Sequence, residues 1–255
     1  GNFLEISTVI GMVAGVLSVV VGMALKGASP MALANPAAFL IIIGGTVACL
    51  FNAFTMDILK NFPALIKTLF RKPQLMPKSD MLKMFVELSQ VARREGILAL
   101  ESRVDEITDE FLRKGLSMVI DGLDPDFVGD VLDAEIQSME ERHRVGALVF
   151  TQAGTYAPTL GVLGAVIGLI AALGNLDDIE KLGHSIAAAF VATLLGIFTG
   201  YVIWHPFSNK LKMMSKKEVD SNINLIIRSL ISKDADRNGP VFISEEEIKR
   251  KQEET

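Results

Sequence analysis

Long apolar stretches alternate with charged segments along this chain. Four stretches contain no Asp, Glu, Lys or Arg: Ile6–Leu25, Ala28–Met56, Val145–Leu176 and Ser185–Asn209. Each is long enough to cross a bilayer, which takes about 20 apolar residues in a helix. Their polar borders and turn residues predict membrane-spanning helices near residues 6–25, 35–54, 148–173 and 185–206. The first is expected to be a span rather than a signal peptide, because its apolar core exceeds the usual ~7–15 residues.

The segment between the second and third spans is polar with helical periodicity. Apolar residues recur there at the spacing of one helical face, which predicts a single amphipathic helix. They are Ile97, Leu100, Val104, Ile107 and Phe111. Gly96 is expected to separate this helix from an earlier one over residues 80–94. Asp124-Pro125-Asp126 is a helix start signal, and the helix that it opens is predicted to continue into the third span.

Lysine and arginine residues flank the spans unevenly. They follow the second span, precede the third and follow the fourth, whereas the other two connections have one lysine each. Basic residues near span ends stay preferentially on the cytoplasmic side. The pattern therefore predicts that the segment 57–144 and both chain termini are cytoplasmic.

Together these patterns predict an all-α fold, a polytopic membrane protein with four transmembrane helices and a helical cytoplasmic domain between spans two and three. The expected domains are the first two spans (1–56), the cytoplasmic helical domain (57–147), the last two spans (148–207), and a cytoplasmic C-terminal helix with a mobile tail (208–255).

Composition agrees with this division and excludes several classes of function. The chain is 50% hydrophobic and 22% charged, with a mean hydropathy of +0.39, so the two kinds of residue are segregated along it. The net charge of -5 gives no basic surface of the kind that binds nucleic acid. Cys49 is the one cysteine, so the chain has no internal disulfide. No phosphate-binding loop or nucleophile elbow is present, and His143, His184 and His205 have no metal-ligand spacing. We therefore expect no enzyme, no cofactor and no metal.

Small residues recur at helical spacing in three spans. Gly164 and Gly168 share one helix face, as do Gly196 and Gly200, and the first span has a similar pair at Gly11 and Gly15. Close backbone approach favours helix association in lipid. Packing among the four spans explains part of this pattern, and association with another copy or a partner helix is the alternative.

The spans carry hydroxyls but no acid. Ionisable groups inside a membrane are the usual markers of proton relays, so this chain cannot run a carboxylate relay alone. Most of its Thr hydroxyls are expected to bond to their own helix backbone, and one or two could face a polar passage completed by another chain's acid. Pro158 and Pro206 are expected to kink the last two spans. On the cytoplasmic segment, Arg93, Arg94 and Glu101 form a charged cluster whose simplest interpretation is a solvated face.

Several of these stretches resemble one bacterial family. The run from Thr151 to Gly168 resembles the third span of the flagellar stator A subunit, MotA, and residues 190–196 followed by Trp204-His205-Pro206 resemble its fourth span. Residues 92–101 resemble that family's cytoplasmic motif. The resemblance extends over about residues 6–230.

The resemblance implies a stator in the bacterial inner membrane that turns ion flow into torque. Family members form a ring, a pentamer, around a dimer of B subunits whose spanning helix carries the ion-binding aspartate. By resemblance, Pro158 and Pro206 take part in ion-driven conformational change, and Thr193 lies on the ion pathway, where Thr159 and Tyr201 offer further hydroxyls. Sodium-type relatives tend to have a threonine where this chain has Ala165, which favours protons over sodium.

The resemblance also assigns a surface to the cytoplasmic domain. Arg93 and Glu101, with Arg94 and Glu135, are expected to meet the rotor switch protein FliG. Three alternatives remain open: an ExbB/TolQ-type motor subunit that energises outer-membrane processes, although that family usually has three spans; a self-contained ion channel; and a membrane scaffold.

Overall fold

The computed structural model describes residues 6–71, 78–107 and 109–220, and every regular element in these ranges is a helix. In chain order the α-helices are α1 (Ile6–Leu25), α2 (Pro36–Phe39), α3 (Gly45–Ala53), α4 (Met56–Leu59), α5 (Phe62–Leu69), α6 (Lys78–Glu95), α7 (Glu101–Val104), α8 (Glu110–Ile120), α9 (Pro125–Leu173), α10 (Ile179–Phe198) and α11 (His205–Asp220). The shorter turns are 3-10 turns at Pro30–Leu33 and Ile97–Leu100 and π-helical turns at Leu40–Gly44 and Thr199–Trp204.

The chain has two compact units. Of the described residues, one comprises 6–71 and 142–214, and the other 78–107, 109–141 and 215–220. Residues 57–71, which the sequence placed in the cytoplasmic domain, lie in the unit that contains the apolar helices. The predicted tail beyond residue 220 lies outside the described residues.

Among the residues that the structure describes, four helices are long and apolar enough to cross a membrane, as predicted. They lie within Ile6–Leu25, Pro30–Ala53, Asp126–Leu173 and Ile179–Val219. The start signal before the third is confirmed, because the Asp124 carboxylate accepts hydrogen bonds from the Asp126 and Phe127 N–H groups at 3.0 and 3.3 Å. Asn35 caps α2 in the same way by accepting from Ala38 N–H at 3.1 Å.

An aromatic cluster forms the core at one end of the span-containing unit. Phe150 of α9 is fully buried, and its ring stacks on Phe62 of α5 with centroids 4.9 Å apart. Trp204 and Phe207 lie at 6.0 and 6.3 Å from the same ring. Such ring contacts add to the free energy of apolar burial, so this cluster fastens α5 and α11 to α9.

The second unit has its own core, and here one prediction is wrong. The apolar residues from Ile97 to Phe111 do not lie on a single helix: a 3-10 turn and α7 end at Val104, and α8 begins only at Glu110. Gly96 adopts φ +89°, and Asp109 caps α8 by accepting a hydrogen bond from Leu112 N–H. The periodicity still identified core residues, because Leu100, Val104 and Ile107 are buried.

Candidate functional site

Two helices of the span-containing unit, α9 and α10, come into direct backbone contact. A Cβ added at Gly196 would lie 2.7 Å from the Cα of Gly161 and 2.8 Å from the Ala157 carbonyl oxygen. A Cβ at Gly161 would meet the Gly196 Cα at 2.9 Å. These neighbours are backbone atoms, which cannot rotate away, so the two helices touch only because both positions are glycine.

Further glycines continue this contact along both helices. A Cβ added at Gly168 would lie 2.9 Å from the Cβ of Ala189, and one at Gly164 would lie 3.1 Å from the Cβ of Ala192. A Cβ added at Gly200 would lie 2.7 Å from Cγ of Pro158. We call this line of contact the glycine seam; its glycines are Gly154, Gly161, Gly164 and Gly168 on α9 and Gly196 and Gly200 on the facing helix. The predicted packing glycines Gly164, Gly168, Gly196 and Gly200 therefore contact the facing span of the same chain.

The glycines of the first span differ from those of the seam. A Cβ at Gly11 would have nothing within 4 Å, whereas one at Gly15 would lie 2.7 Å from Val202. Only one member of that predicted pair thus serves packing within the chain.

One side of the seam is covered by the second span. The residues that directly precede seam positions include Ala157, Val191 and Leu195, which are all buried. They pack in one cluster with Ala38 and Ile42 of the second span.

The other side of the seam is open. A residue that follows a seam residue lies about 100° further round its helix. Gly161 contacts Gly196, and Gly168, further along α9, contacts the earlier residue Ala189 of α10, so the two helices are antiparallel. In an antiparallel pair, the residues that directly follow the seam residues project to the same side of both helices. We call them the open face: Thr155, Thr159, Val162 and Ala165 on α9, and Thr193, Ile197 and Tyr201 opposite. Five of the seven are exposed and the other two, Ala165 and Thr193, are half-buried.

The open face collects the predicted pathway residues Thr159, Ala165, Thr193 and Tyr201, which the sequence could not place relative to one another. Its Thr hydroxyls donate to their own helix, as expected. Thr155 donates to Thr151 O at 3.1 Å, Thr159 to Thr155 O at 3.3 Å and Thr193 to Ala189 O at 3.4 Å. Each hydroxyl proton is thereby engaged, while oxygen lone pairs remain available as acceptors.

The two predicted prolines lie in different settings in the last two spans. Pro158 lies within α9, on the seam, and has no N–H to donate to the Gly154 carbonyl one turn earlier. Pro206 is exposed and is the second residue of α11, directly after the π-helical turn Thr199–Trp204.

The predicted rotor contacts lie in the second unit, where Arg94 is in the last turn of α6 and Glu101 begins α7. Both are exposed, but α6 ends before Gly96, so they do not share one helix face. Arg94 lines an open groove of about 450 Å³, which Glu101 does not line. The groove has the charged side chains Glu87, Arg94, Glu95, Arg103 and Glu106 around the apolar side chains of Met84, Leu88, Val91 and Ile107.

The other two predicted contacts differ in what the structure shows of them. Glu135 forms an ion pair with Lys114 of α8, and both side chains are partly exposed. The Arg93 backbone belongs to α6, but its side chain lies outside the described residues. In the parts of the chain that the structure describes, no group of three His, Cys, Asp or Glu side chains could hold a metal ion.

Comparison with known proteins agrees with this arrangement. Residues 103–222 match the MotA/TolQ/ExbB proton channel family, and residues 9–96 match the N-terminal family of motility protein A. Motility protein A of Bacillus subtilis (strain 168) is 54% identical over 216 residues, which are 85% of this chain and 80% of that protein. The chain belongs to the MotA family.

Solved structures of MotA relatives have the same fold. A chain of the flagellar MotAB stator complex from Bacillus subtilis is 52% identical, with a TM-score of 0.81 over 88% of both chains. A chain of the C. jejuni MotAB structure is 32% identical, with a TM-score of 0.83, and the match covers 92% of this chain and 91% of that one. The N-terminal match and the four spans separate the chain from the ExbB/TolQ alternative, which is named only in the description of the MotA/TolQ/ExbB proton channel family.

Sequence reasoning missed three residues of this MotA site. Gly154 and Gly161 belong to the seam, and the recurrence of small residues every three or four positions through residues 154–168 could have revealed both. His205, which packs against Gly154, was weighed as a metal ligand and noted in the fourth-span resemblance, but it was given no role in the site. Its signal was an ionisable group inside an otherwise uncharged apolar stretch.

Proposed function

We propose that this chain is the A subunit of a flagellar stator that conducts protons together with a B subunit and converts their flow into torque on the rotor. The observation that carries the proposal is the open face. This face is an exposed surface of the last two spans that carries hydroxyl groups and no Asp or Glu. The adjacent glycine seam holds its two helices in contact. Such a surface requires a partner that supplies the proton-binding group.

The chemistry of the open face suits a partner carboxyl that changes its protonation state. Thr155, Thr159 and Thr193 already donate to their own helices, so they offer acceptors outward. A protonated carboxyl can donate to such an acceptor, whereas an ionised carboxylate finds no proton at these three hydroxyls. The Thr hydroxyls therefore favour the neutral acid, and loss of its proton changes the preferred contact between the two subunits, which is the differential affinity that a step requires.

The coupling ion in this proposal is the proton. Ala165 lies on the open face at the position where sodium-type relatives tend to have a threonine, and it offers no oxygen ligand. The MotA/TolQ/ExbB family is described as a proton channel family, which supports the same ion.

We further propose the assembly that the family implies: five A subunits around a B dimer in the bacterial inner membrane, with both termini cytoplasmic and FliG as the rotor partner. The exposed charges of Arg94, Glu101 and Glu135 are available to steer such a partner. In this account Arg93→Glu weakens motility while the complex still assembles, and unchanged swimming would refute a rotor contact at Arg93.

Ion flux in proteoliposomes tests the proposed function. Vesicles contain the chain alone, the chain with its B subunit, or the chain with a B subunit whose membrane aspartate is replaced by asparagine. We expect proton flux only from the second preparation, and no sodium flux from any of them. Flux from the chain alone would support the self-contained channel instead, and sodium flux from the complex would overturn the choice of ion.

A further inference from the structure

His205 is an ionisable group for which the proposed function has no role. It is the first residue of α11 and is half-buried, and the apolar stretch Ser185–Asn209 that contains it has no Asp, Glu, Lys or Arg. Ionisable side chains in spanning segments are rare and mark ion pathways. Imidazole gains and loses protons near neutral pH, so it is suited to passing them on.

The imidazole ring of His205 packs against one position of α9, Gly154, which we call its seat. A Cβ added at Gly154 would lie 2.8 Å from Cδ2 of the His205 ring and 2.9 Å from Cγ and Nε2, so the ring fits only against glycine. The Gly154 carbonyl is also the one to which Pro158 cannot donate. The ring therefore packs where α9 leaves a backbone acceptor without its usual helical partner.

The π-helical turn directs His205 toward this seat. Gly200 faces α9. In a regular α-helix, residue 205 would lie about 140° round the helix from residue 200, so its side chain would point away from α9. A π-helical turn has i→i+5 hydrogen bonds and so holds more residues per turn, which brings position 205 back toward the side of Gly200. The ring then lies beside Tyr201, with centroids 5.3 Å apart, at the end of the open face.

We propose that His205 relays protons between the open face and the water at this end of the fourth span. The inference rests on the proposed function, because the proton comes from the carboxylic acid of the partner. The neutral imidazole nitrogen takes this proton, directly or through one water, and the acid becomes a carboxylate. The imidazolium then loses the proton of its other ring nitrogen to water, which becomes hydronium, and the ring returns to the neutral state.

Tyr201 assists the same step. Its side chain is 63% exposed on the open face, and its phenol O–H is a donor that can stabilise the carboxylate left behind. The Thr hydroxyls favour the protonated acid, whereas this end of the face favours the ionised acid. The proton is therefore released where the imidazole can accept it.

The test uses the full complex of the chain with its B subunit in proteoliposomes. His205→Gln keeps a polar side chain that cannot carry a proton, and we expect proton flux to fall by about 100-fold, the lower end of the contribution of a positioned proton-transfer group. His205→Ala should fall as far and recover when imidazole is added, because the small base can enter the vacated seat. The matched control is His184→Gln, an exposed histidine near the start of α10, which should conduct like the wild type.

The outcomes separate the relay from the proposed function. Wild-type flux from His205→Gln would overturn the relay, and so would a deficit in His205→Ala that imidazole does not restore, since that deficit would be one of packing. Copurification with the B subunit shows that each variant assembles. An absence of proton flux from the wild-type complex would overturn the proposed function itself, and the relay with it.

Discussion

Gly196→Ala should separate the two helices that carry the open face. The added methyl would lie 2.7 Å from the Gly161 Cα and 2.8 Å from the Ala157 carbonyl oxygen. Carbon atoms in contact prefer about 3.5–4.0 Å, so α9 and α10 must move apart by roughly 1 Å along this line. Overpacking of this kind costs about 1–3 kcal/mol in free energy of unfolding. The better helix propensity of alanine, about 1 kcal/mol over glycine, offsets part of that cost.

Detergent-purified protein unfolded by titration with sodium dodecyl sulfate measures this loss, and swimming speed measures its effect on the motor. Gly11→Ala is the matched control, because a Cβ there has nothing within 4 Å and only the propensity gain remains. We expect Gly11→Ala to leave the free energy of unfolding unchanged or slightly higher. An equal change in the free energy of unfolding in Gly196→Ala and Gly11→Ala would refute the close approach at the seam, because both variants share the propensity gain and only the first adds the overpacking.

Three further predictions concern single polar groups. Thr46 is 2% exposed, and its hydroxyl has no hydrogen-bond partner among the described residues. Thr46→Val should therefore leave the free energy of unfolding unchanged or raise it by up to about 1 kcal/mol. Thr8→Val loses a buried hydrogen bond to the Leu69 carbonyl and another from the Lys210 ammonium, so it should lower the free energy of unfolding by about 1–3 kcal/mol in the same titration. Glu135→Gln breaks the partly exposed ion pair with Lys114 of α8 and should change the free energy of unfolding by less than about 1 kcal/mol. A larger loss would contradict the assignment of this pair as a weak surface contact. The hydrogen bond from the Lys181 N–H, and next the Lys181 side chain, lower the pKa of the Asp178 carboxyl. The ionised carboxylate therefore stabilises the folded state above the ordinary carboxyl pKa, and this stabilisation is lost as the pH falls through the lowered value. Asp178→Ala should accordingly lose less stability on acidification than the wild type does, and parallel acid curves would contradict this.

The spans were predictable because a bilayer imposes a simple rule on composition. The uncharged stretch Ile6–Leu25 matches α1 residue for residue, and the Asp124 start signal correctly opened a helix that continues to Leu173. The stripe between Ile97 and Phe111 shows the limit of periodicity. It identified buried residues but not the break before α8, because burial depends on which side chains face the core and not on an unbroken helix.

The members of the candidate site were predictable one by one, but their arrangement was not. Hydroxyls and small residues in the last two spans are visible in the sequence, whereas the pairing of Gly161 with Gly196 depends on which helices meet and in what register. The π-helical turn before His205 had no sequence signal beyond the nearby Pro206. The seat on Gly154 emerged only with the fold.

Cysteine cross-linking tests most directly the central claim that the open face meets the partner's spanning helix. Thr159→Cys lies on that face, and Leu160→Cys, one residue later, lies toward Gly45 of the second span. Both are made with Cys49 replaced by alanine, and each is combined with single cysteines placed along the B subunit's helix. We predict disulfide formation with the B subunit from position 159 and none from position 160. Cross-linking from Leu160→Cys without any from Thr159→Cys would contradict the account.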